Sequence, residues 1–437
     1  MYSAYSAMLH ECVLATLFMV ACAVEMPAGE GRASASATQD GAAAAAALDG
    51  NRFSVDAAHV WKGRDNEQNW WWQCSWEEPK KVGAILQIVG DDPLRLRNAP
   101  KKSRWQSSLD GQTWTDLSET AVESECRIAR LHRLHVPRQA KHLKLRIDSV
   151  HGEFPTLREV EVFADPQAIV DFPEWLVVVS TLDRREWDNR HPAGTEFVAL
   201  ARHCPGWEEV PAQQVWLGSF DEAYVATEPR PLCAFFTGNF SDWCQKDREA
   251  WRGTATVLAA GRLPMWASCG GAQGLAILAD VGVDGPWDCP HCRDPKHPKV
   301  PIYTHLAHRS PGKLACGDYE HCQFERGPHN ILQLADDPVF RGLPREFRAM
   351  ESHCGQIAYA PQGWIQIASK GTGAQTEMQC LRVADRPIYA AQFHIEMPGT
   401  PRESRRIVAN FLELAKKCGG YQESPRSLAL PKRFGTD

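Results

Sequence analysis

Cys269 stands between the apolar run Leu263-Pro264-Met265-Trp266-Ala267-Ser268 and the small-residue stretch Gly270-Gly271-Ala272-Gln273-Gly274. A strand that turns sharply into a helix exposes the side chain at its apex and needs small neighbours. The apex also lies at a helix N-terminus. There the helix dipole and free N–H groups favour a thiolate and can hold an oxyanion. The bland reading of the same residues is a buried structural cysteine ahead of a helix. Further along, Ile388-Tyr389-Ala390-Ala391-Gln392-Phe393-His394-Ile395-Glu396 reads as a strand ending in His-x-Glu. Side chains two apart on extended chain share a face. Glu396 is thus placed to orient the His394 imidazole and stabilise its charged form, with His394 as base and acid for Cys269. An isolated His-x-Glu is an ordinary surface strand end. Paired with a nucleophile turn, it reads instead as the acid–base partner of a reactive cysteine.

The elements that must position these groups follow a strand–helix alternation. Trp175-Leu176-Val177-Val178-Val179-Ser180 is a continuous apolar run, as expected of a parallel strand buried on both faces. A helix is expected over 194–203, strands over 214–217 and 232–236, and a helix over 241–260. A strand over 263–268 and a helix over 270–279 follow. Residues 402–416 carry Ile407, Val408, Phe411, Leu412 and Ala415 on one helical stripe. The alternation predicts an α/β domain over 170–418 with a mainly parallel sheet, followed by an irregular tail over 419–437.

The preceding part has another texture. Residues 51–165 show short alternating strands and turns, including a hairpin-type Asp110-Gly111, which predicts an all-β sandwich. Each part carries a complete pattern, so the two are expected to fold independently. Residues 24–50, rich in Ala, Gly and Ser, read as a flexible linker without its own core. The apolar run of residues 12–23 is too short to span a bilayer and matches a signal-peptide h-region, with Ala21-Cys22-Ala23 as an A-x-A-like cleavage site or Cys22 as a lipidation site. Residues 1–23 are therefore expected to be a leader, and the protein exported: secreted, periplasmic or lipid-anchored. Lys+Arg is 48 against Asp+Glu 54, a formal charge of −6, and there is no long basic run, so nucleic acid is not expected as a partner.

Residues 175–416 resemble the class I glutamine amidotransferase domain, whose flavodoxin-like sheet carries a G-x-C-x-G-x-Q turn and a Q-F-H-x-E strand. The matching residues are Ala267-Ser268-Cys269-Gly270-Gly271-Ala272-Gln273 and Gln392-Phe393-His394-Ile395-Glu396. Phe236-Thr237-Gly238-Asn239-Phe240 lies where the family has its oxyanion loop, and Ser352-His353 where it has an S-H-x-D stretch. The resemblance implies Cys269 as nucleophile, His394 as acid–base and Glu396 as its orienting carboxylate. It implies Gly238 and Gly270 as oxyanion donors, and Gln273 and His353 as substrate-binding residues. Ala267 replaces the first Gly of the turn, Ala272 a frequent His, and the oxyanion loop lacks Gly-Gly-Pro. A cysteine hydrolase of glutamine or γ-glutamyl amide bonds is the expected activity. The alternative is a catalytically silent amidotransferase-like domain in a surface-attached binding protein.

Residues 51–165 resemble the discoidin, or coagulation factor V/VIII type C, domain. The resemblance rests on Trp72-Gln73-Cys74-Ser75-Trp76, Ser107-Ser108-Leu109-Asp110-Gly111-Gln112-Thr113-Trp114 and Leu157-Arg158-Glu159-Val160-Glu161-Val162-Phe163. It implies a galactose-binding-like jelly roll that takes a glycan or other cell-surface ligand. Trp61, Trp70, Trp71 and Trp72 are either sugar-stacking faces or core, and Cys74 and Cys126 are candidates for a disulfide. The chemistry expected at Cys269 needs no cofactor. Within a Cys/His-rich insertion over 285–325, Cys289, Cys292, Cys316 and Cys322 fit two disulfides in an oxidising compartment, with a zinc site as the less favoured alternative and unpaired thiols as the third.

Overall fold

A computed structural model describes residues 31–434 except 55, 65–68, 93, 190–193, 240, 288–301, 307–322 and 425–426. The leader expected over 1–23 and all four insertion cysteines lie outside the described residues.

The N-terminal part is a sandwich built from β1 (Arg32–Ala35), β2 (Trp61–Lys62), β3 (Trp70–Val89), β4 (Ala99–Ser108), β5 (Thr115–Asp116), β6 (Ala129–His151) and β7 (Thr156–Phe163). All pairings are antiparallel. The two long strands serve both layers. The first half of β3 pairs with β1 and with residues 142–147 of β6, and its second half with β7 and with residues 129–140, the register breaking between Ser75 and Lys80. Trp61, Trp72, Trp105, Leu143, Leu145 and Val160 fill the space between the layers. Trp61 and Trp72 are thus core, while Trp70 and Trp71 are half-buried.

Two expectations are corrected here. The segment read as a linker is part of the sandwich. β1 pairs with β3, and a 3-10 turn over Ala44–Leu48 buries Ala46, Ala47 and Leu48. Small alanines suit this role because they fit under Trp72, whose indole N–H donates to the Ala44 carbonyl. Cys74 and Cys126 form no disulfide. Cys74 points into the sandwich core, where burial pushes its pKa up to about 12. Cys126 packs instead against the following domain.

That domain comprises β8 (Leu176–Ser180), α1 (Arg184–Asp188), α2 (Thr195–Arg202), β9 (Ala212–Trp216), α3 (Glu222–Ala226), β10 (Cys233–Phe236), α4 (Arg252–Ala260), β11 (Met265–Ser268), α5 (Gly270–Val281), β12 (Tyr303–His305), β13 (Glu325–Gln333), β14 (Ala335–Asp336), β15 (Glu346–His353), β16 (Gly355–Ile357), β17 (Trp364–Lys370), β18 (Cys380–Val383), β19 (Ile388–Ala391), α6 (Arg406–Cys418) and β20 (Lys432–Arg433). Nine strands make one sheet in the order β9-β8-β10-β11-β19-β18-β17-β13-β15. The first five are parallel and the last four are joined antiparallel. Leu176, Val178, Phe235 and Trp266 face α2 and α6, while Val177, Val179, Phe236 and Ala267 face α3, α4 and α5. Burial on both faces is why these strands read as unbroken apolar runs. The helix expected over 241–260 is shorter, with two 3-10 turns before α4. The tail read as irregular packs on the domain, with Tyr421 buried and β20 paired to β14.

The two parts do not sit side by side as independent units. Arg127, 1% exposed, leaves the sandwich and donates to the carbonyls of Tyr224 and Pro229 (2.5 Å for the latter), its guanidinium 5.0 Å from the ring centroids of both Trp175 and Tyr224. Gln213 on β9 accepts from the Ile128 N–H (3.1 Å) and donates to the Cys126 carbonyl (2.7 Å). Buried polar groups left without partners cost about 1–3 kcal/mol each. Arg127→Ala is therefore expected to destabilise the whole chain by about 3 kcal/mol, with both parts melting in one transition. Calorimetry of the full chain checks this. Two resolved transitions with an unshifted second peak would show that the interface does not couple them.

Candidate active site

Three neighbouring parallel strands end at the same edge of the sheet. β10 delivers Gly238, β11 delivers Cys269 and β19 delivers His394. Open α/β sheets characteristically bind ligands outside these carboxyl ends. Register sets the heights: Ser268 pairs with Ala391, and the Cys269 N–H donates to the Ala391 carbonyl at 2.8 Å. Cys269 caps α5 at φ +48°, ψ −112°. This backbone costs a non-glycine residue about 1–3 kcal/mol. The glycines beside it are there for space. A Cβ on Gly270 would come 2.7 Å from the Asn239 nitrogen, and one on Gly271 2.7 Å from the Thr237 carbonyl. The loop over 237–239 therefore lies directly on the start of α5.

His394 Nδ1 is 2.6 Å from Glu396 Oε1, and its ring carbon Cε1 would be 3.3 Å from a Cβ on Gly238. The other carboxylate oxygen accepts from the Ile395 N–H (3.0 Å) and the Ser268 hydroxyl (3.2 Å). The Ser268 oxygen in turn accepts from the Trp266 indole at 3.1 Å. Burial alone would push the His394 pKa down. The Glu396 carboxylate, together with the Cys269 sulfur to which the ring is hydrogen-bonded, overrides burial and holds it well above the ordinary 6.5. Cys269 Sγ lies 3.9 Å from the Ser352 carbonyl and 3.7 Å from Gln392 Nε2. These groups open into a cavity of about 540 Å³ lined also by Glu196, Phe324 and Arg326.

Cys269, His394, Glu396, Gly238, Gly270, Gln273 and His353 are all brought to this corner of the molecule, but the last two are engaged internally. The Gln273 carbonyl accepts from Trp243 (3.1 Å) and its amide donates to the Gly355 carbonyl (2.9 Å) and to Gln392 (3.2 Å). His353 lies buried between Glu351 (2.9 Å) and Glu325 (3.4 Å), with Nδ1 on the Gly355 carbonyl at 2.9 Å. Burial lowers its pKa, but Glu351, then Cys269 and Glu325, outweigh burial and raise it. Both residues brace the wall formed by residues 352–355.

Sequence reasoning did not single out Ser268, Thr181 or Lys246. The Thr181 hydroxyl lies 2.7 Å from the Gly238 carbonyl and 3.0 Å from that of Thr237, fixing the peptide that carries the Gly238 N–H. Lys246, buried and with its pKa pulled down to about 8 by burial, donates to the Thr181 carbonyl at 3.1 Å. One signal was available for Ser268: a serine in an otherwise apolar buried strand must find a hydrogen-bond partner.

Residues 32–160 match the F5/8 type C domain model. They form a galactose-binding-like β-sandwich. The chain is 34% identical over 89 residues to the GMP synthase [glutamine-hydrolyzing] of Thermosipho africanus, covering 20% of this chain and 17% of that protein. It is 31% identical over 106 residues to a GMP synthase [glutamine-hydrolyzing] subunit of Methanosarcina barkeri, covering 24% and 54%. The chain thus spans about half the length of these curated relatives or less. Among solved structures, the family 32 carbohydrate-binding module of C. perfringens NanJ, in complex with galactose, is 17% identical with a TM-score of 0.28, covering 32% of this chain and 97% of that one. A Thermoplasma acidophilum structure described as that of a GMP synthase subunit is 18% identical with a TM-score of 0.38, covering 56% and 96%.

Two measurements check the geometry. Cys269→Gly should be more stable than Cys269→Ala by about 1 kcal/mol, because only glycine relieves the positive φ. At an unstrained position the order reverses. Glu396→Gln removes the largest influence raising the His394 pKa, leaving only the Cys269 sulfur to oppose burial. The ring should then lose its proton at a lower pH than in the wild type, which NMR titration of the imidazole reads directly.

Proposed function

We propose that this protein hydrolyses glutamine or γ-glutamyl amide bonds through a thioester on Cys269. The observation that carries the reading is the single line of contacts Cys269–His394–Glu396, set at the ends of adjacent strands beside two glycine N–H groups. The Cys269 sulfur attacks the amide carbon. The developing oxyanion is received by the N–H groups of Gly238 and Gly270, and removal of one such donor typically costs about 2.7–4 kcal/mol of transition-state stabilisation. His394, held as a cation by Glu396, gives its Nε2 proton to the leaving nitrogen, and ammonia or an amine departs. Neutral His394 then takes a proton from water as that water attacks the thioester, and collapse of the adduct releases glutamate or its derivative and expels Cys269 as the thiolate that began the cycle, beside the reprotonated imidazolium. The similarity to glutamine-hydrolyzing GMP synthases supports the amide class. The F5/8 type C match supports a glycan or other cell-surface ligand for residues 32–160, and with it export of the protein. Among the described residues no helix is long and apolar enough to cross a membrane.

Ammonia release from glutamine and hydrolysis of γ-glutamyl anilides test the reading. Cys269→Ala should abolish turnover, and Glu396→Gln should lower it by more than about tenfold, a part of the 10²–10⁴ that a positioned acid–base contributes. A glutamine-shaped diazoketone should label Cys269 ahead of Cys354, the other cysteine lining the same cavity. Equal labelling of the two, or a Glu396→Gln variant as active as wild type, would overturn the assignment.

A further inference from the structure

The cavity's rim is tied to the sandwich. β9 is an edge strand of the nine-stranded sheet, and an edge leaves N–H groups without partners. The Gln214 N–H finds one in the Leu94 carbonyl of the sandwich, at 2.6 Å. Arg95, next along, donates from Nε to the Gln214 side-chain carbonyl at 3.0 Å. The turn that presents them is built internally: Asp92 accepts from the Leu94 N–H at 2.8 Å, and Asn98 donates to Asp91 at 2.9 Å. Leu94 packs into the apolar layer under α2, and the Arg95 guanidinium lies 5.8 Å from the Trp187 ring centroid.

Gln214 is 3% exposed, and the far end of its side chain reaches the rim. A Cβ on Gly194 would lie 3.2 Å from Gln214 Nε2 and 2.9 Å from Thr237 Cγ2. Gly194 holds φ +102° and donates its N–H to Glu196 Oε2 at 3.0 Å. Gly194, Glu196, Phe197, Thr237 and Gly238 all line the Cys269 cavity. Neighbouring groups therefore run from Arg95 through Gln214, whose Nε2 lies beside Gly194, to Thr237 and the loop beside Cys269.

We infer that Leu94 and Arg95 of the F5/8 type C domain are positioning residues of the Cys269 cavity: by holding Gln214 they set the rim at Gly194, Glu196 and Phe197, so the cavity's selectivity depends on the sandwich. The sandwich is then more than an attachment module. Its loop braces one side of the substrate cavity from behind, without lining it. The inference rests on the proposed amide chemistry for one readout only.

The test uses the full chain with Arg95→Ala and Gln214→Leu, and Lys144→Ala on an outward face of the sandwich as control. Cys269 alkylation rates are measured with iodoacetamide, which needs little room, and with 6-diazo-5-oxo-norleucine, which must fill the cavity as glutamine would. The ratio of the second rate to the first should fall at least about threefold in both variants, and no further in the double variant, since residues acting through one contact are not additive. The control should match wild type. Hydrogen exchange over 195–202 should rise in the same two variants. Unchanged ratios together with unchanged exchange overturn the inference. Should wild type itself show no preference for the glutamine-shaped reagent, the amide reading fails, and exchange over 195–202 alone decides the coupling. Should Arg95→Ala unfold, Arg95→Lys keeps the charge but loses the planar donor geometry, and the same ratio is read on it.

Discussion

Cys269 is held at a backbone angle that a non-glycine residue avoids, and much of the α/β domain serves to keep it there. Strain of this kind persists only where the surroundings over-determine it. Here β11 is fixed in register on both sides, by β10 and β19. α5 must begin at once, because its first nine residues are buried. Gly274 completes the constraint one turn on, where a Cβ would collide with the Trp251 ring. With strand and helix both immovable, the reversal between them falls on one residue. The side chain at that residue is pushed out toward His394.

Charge is handled by the same logic. The corner around Cys269 contains two buried histidines and three buried or nearly buried glutamates, which burial would ordinarily neutralise. Glu396 and Glu325 are given hydrogen-bond partners instead, while Glu351 has the ion pair with His353. Glu396 takes three donors, and Glu325 takes the N–H groups of Gln375 and Thr376 and the Thr376 hydroxyl. His353 Nδ1 is hydrogen-bonded to the Gly355 carbonyl, while Nε2 lies within ion-pair distance of Glu351 without a hydrogen bond. A wall braced in this way has few ways to relax, which is what the proposed chemistry would need, since oxyanion donors act through fixed direction rather than by reorganising.

What was legible in the sequence was local. The turn at Cys269, the His394-x-Glu396 spacing and the apolar strands carry their signals within a few residues, because strand pleat and helix period act over that range. The part that could not be read depended on distant partners. Residues 32–48 look like a linker because alanine is silent about burial until a Trp72 is known to lie over it. Arg127 looks like any charged residue in a β-rich segment, and only the carbonyls of Tyr224 and Pro229 reveal its place. Gln273 shows the opposite limit. Its position in the turn suggested a substrate contact, yet its amide is taken up by Trp243, Gly355 and Gln392.

An open α/β sheet has two edges; in this protein one is closed by a strand whose end lines the cavity, and the other by a sandwich loop that lies behind the cavity's rim. At one end β15 curls over, so that the Met350 carbonyl accepts from the His394 N–H at 2.8 Å and residues 352–355 become the cavity wall. At the other end the sandwich loop covers β9 through Leu94 and Arg95. Covering an edge is a general need of sheet proteins. Using that cover to shape a cavity in the middle of the sheet is possible here because the central parallel strands are short. Only β8 and β10 separate β9 from the nucleophile strand, and adjacent strands lie about 4.8 Å apart. A side chain on the edge strand can therefore act within two strand spacings of β10, which brings an interdomain contact into range of the oxyanion loop.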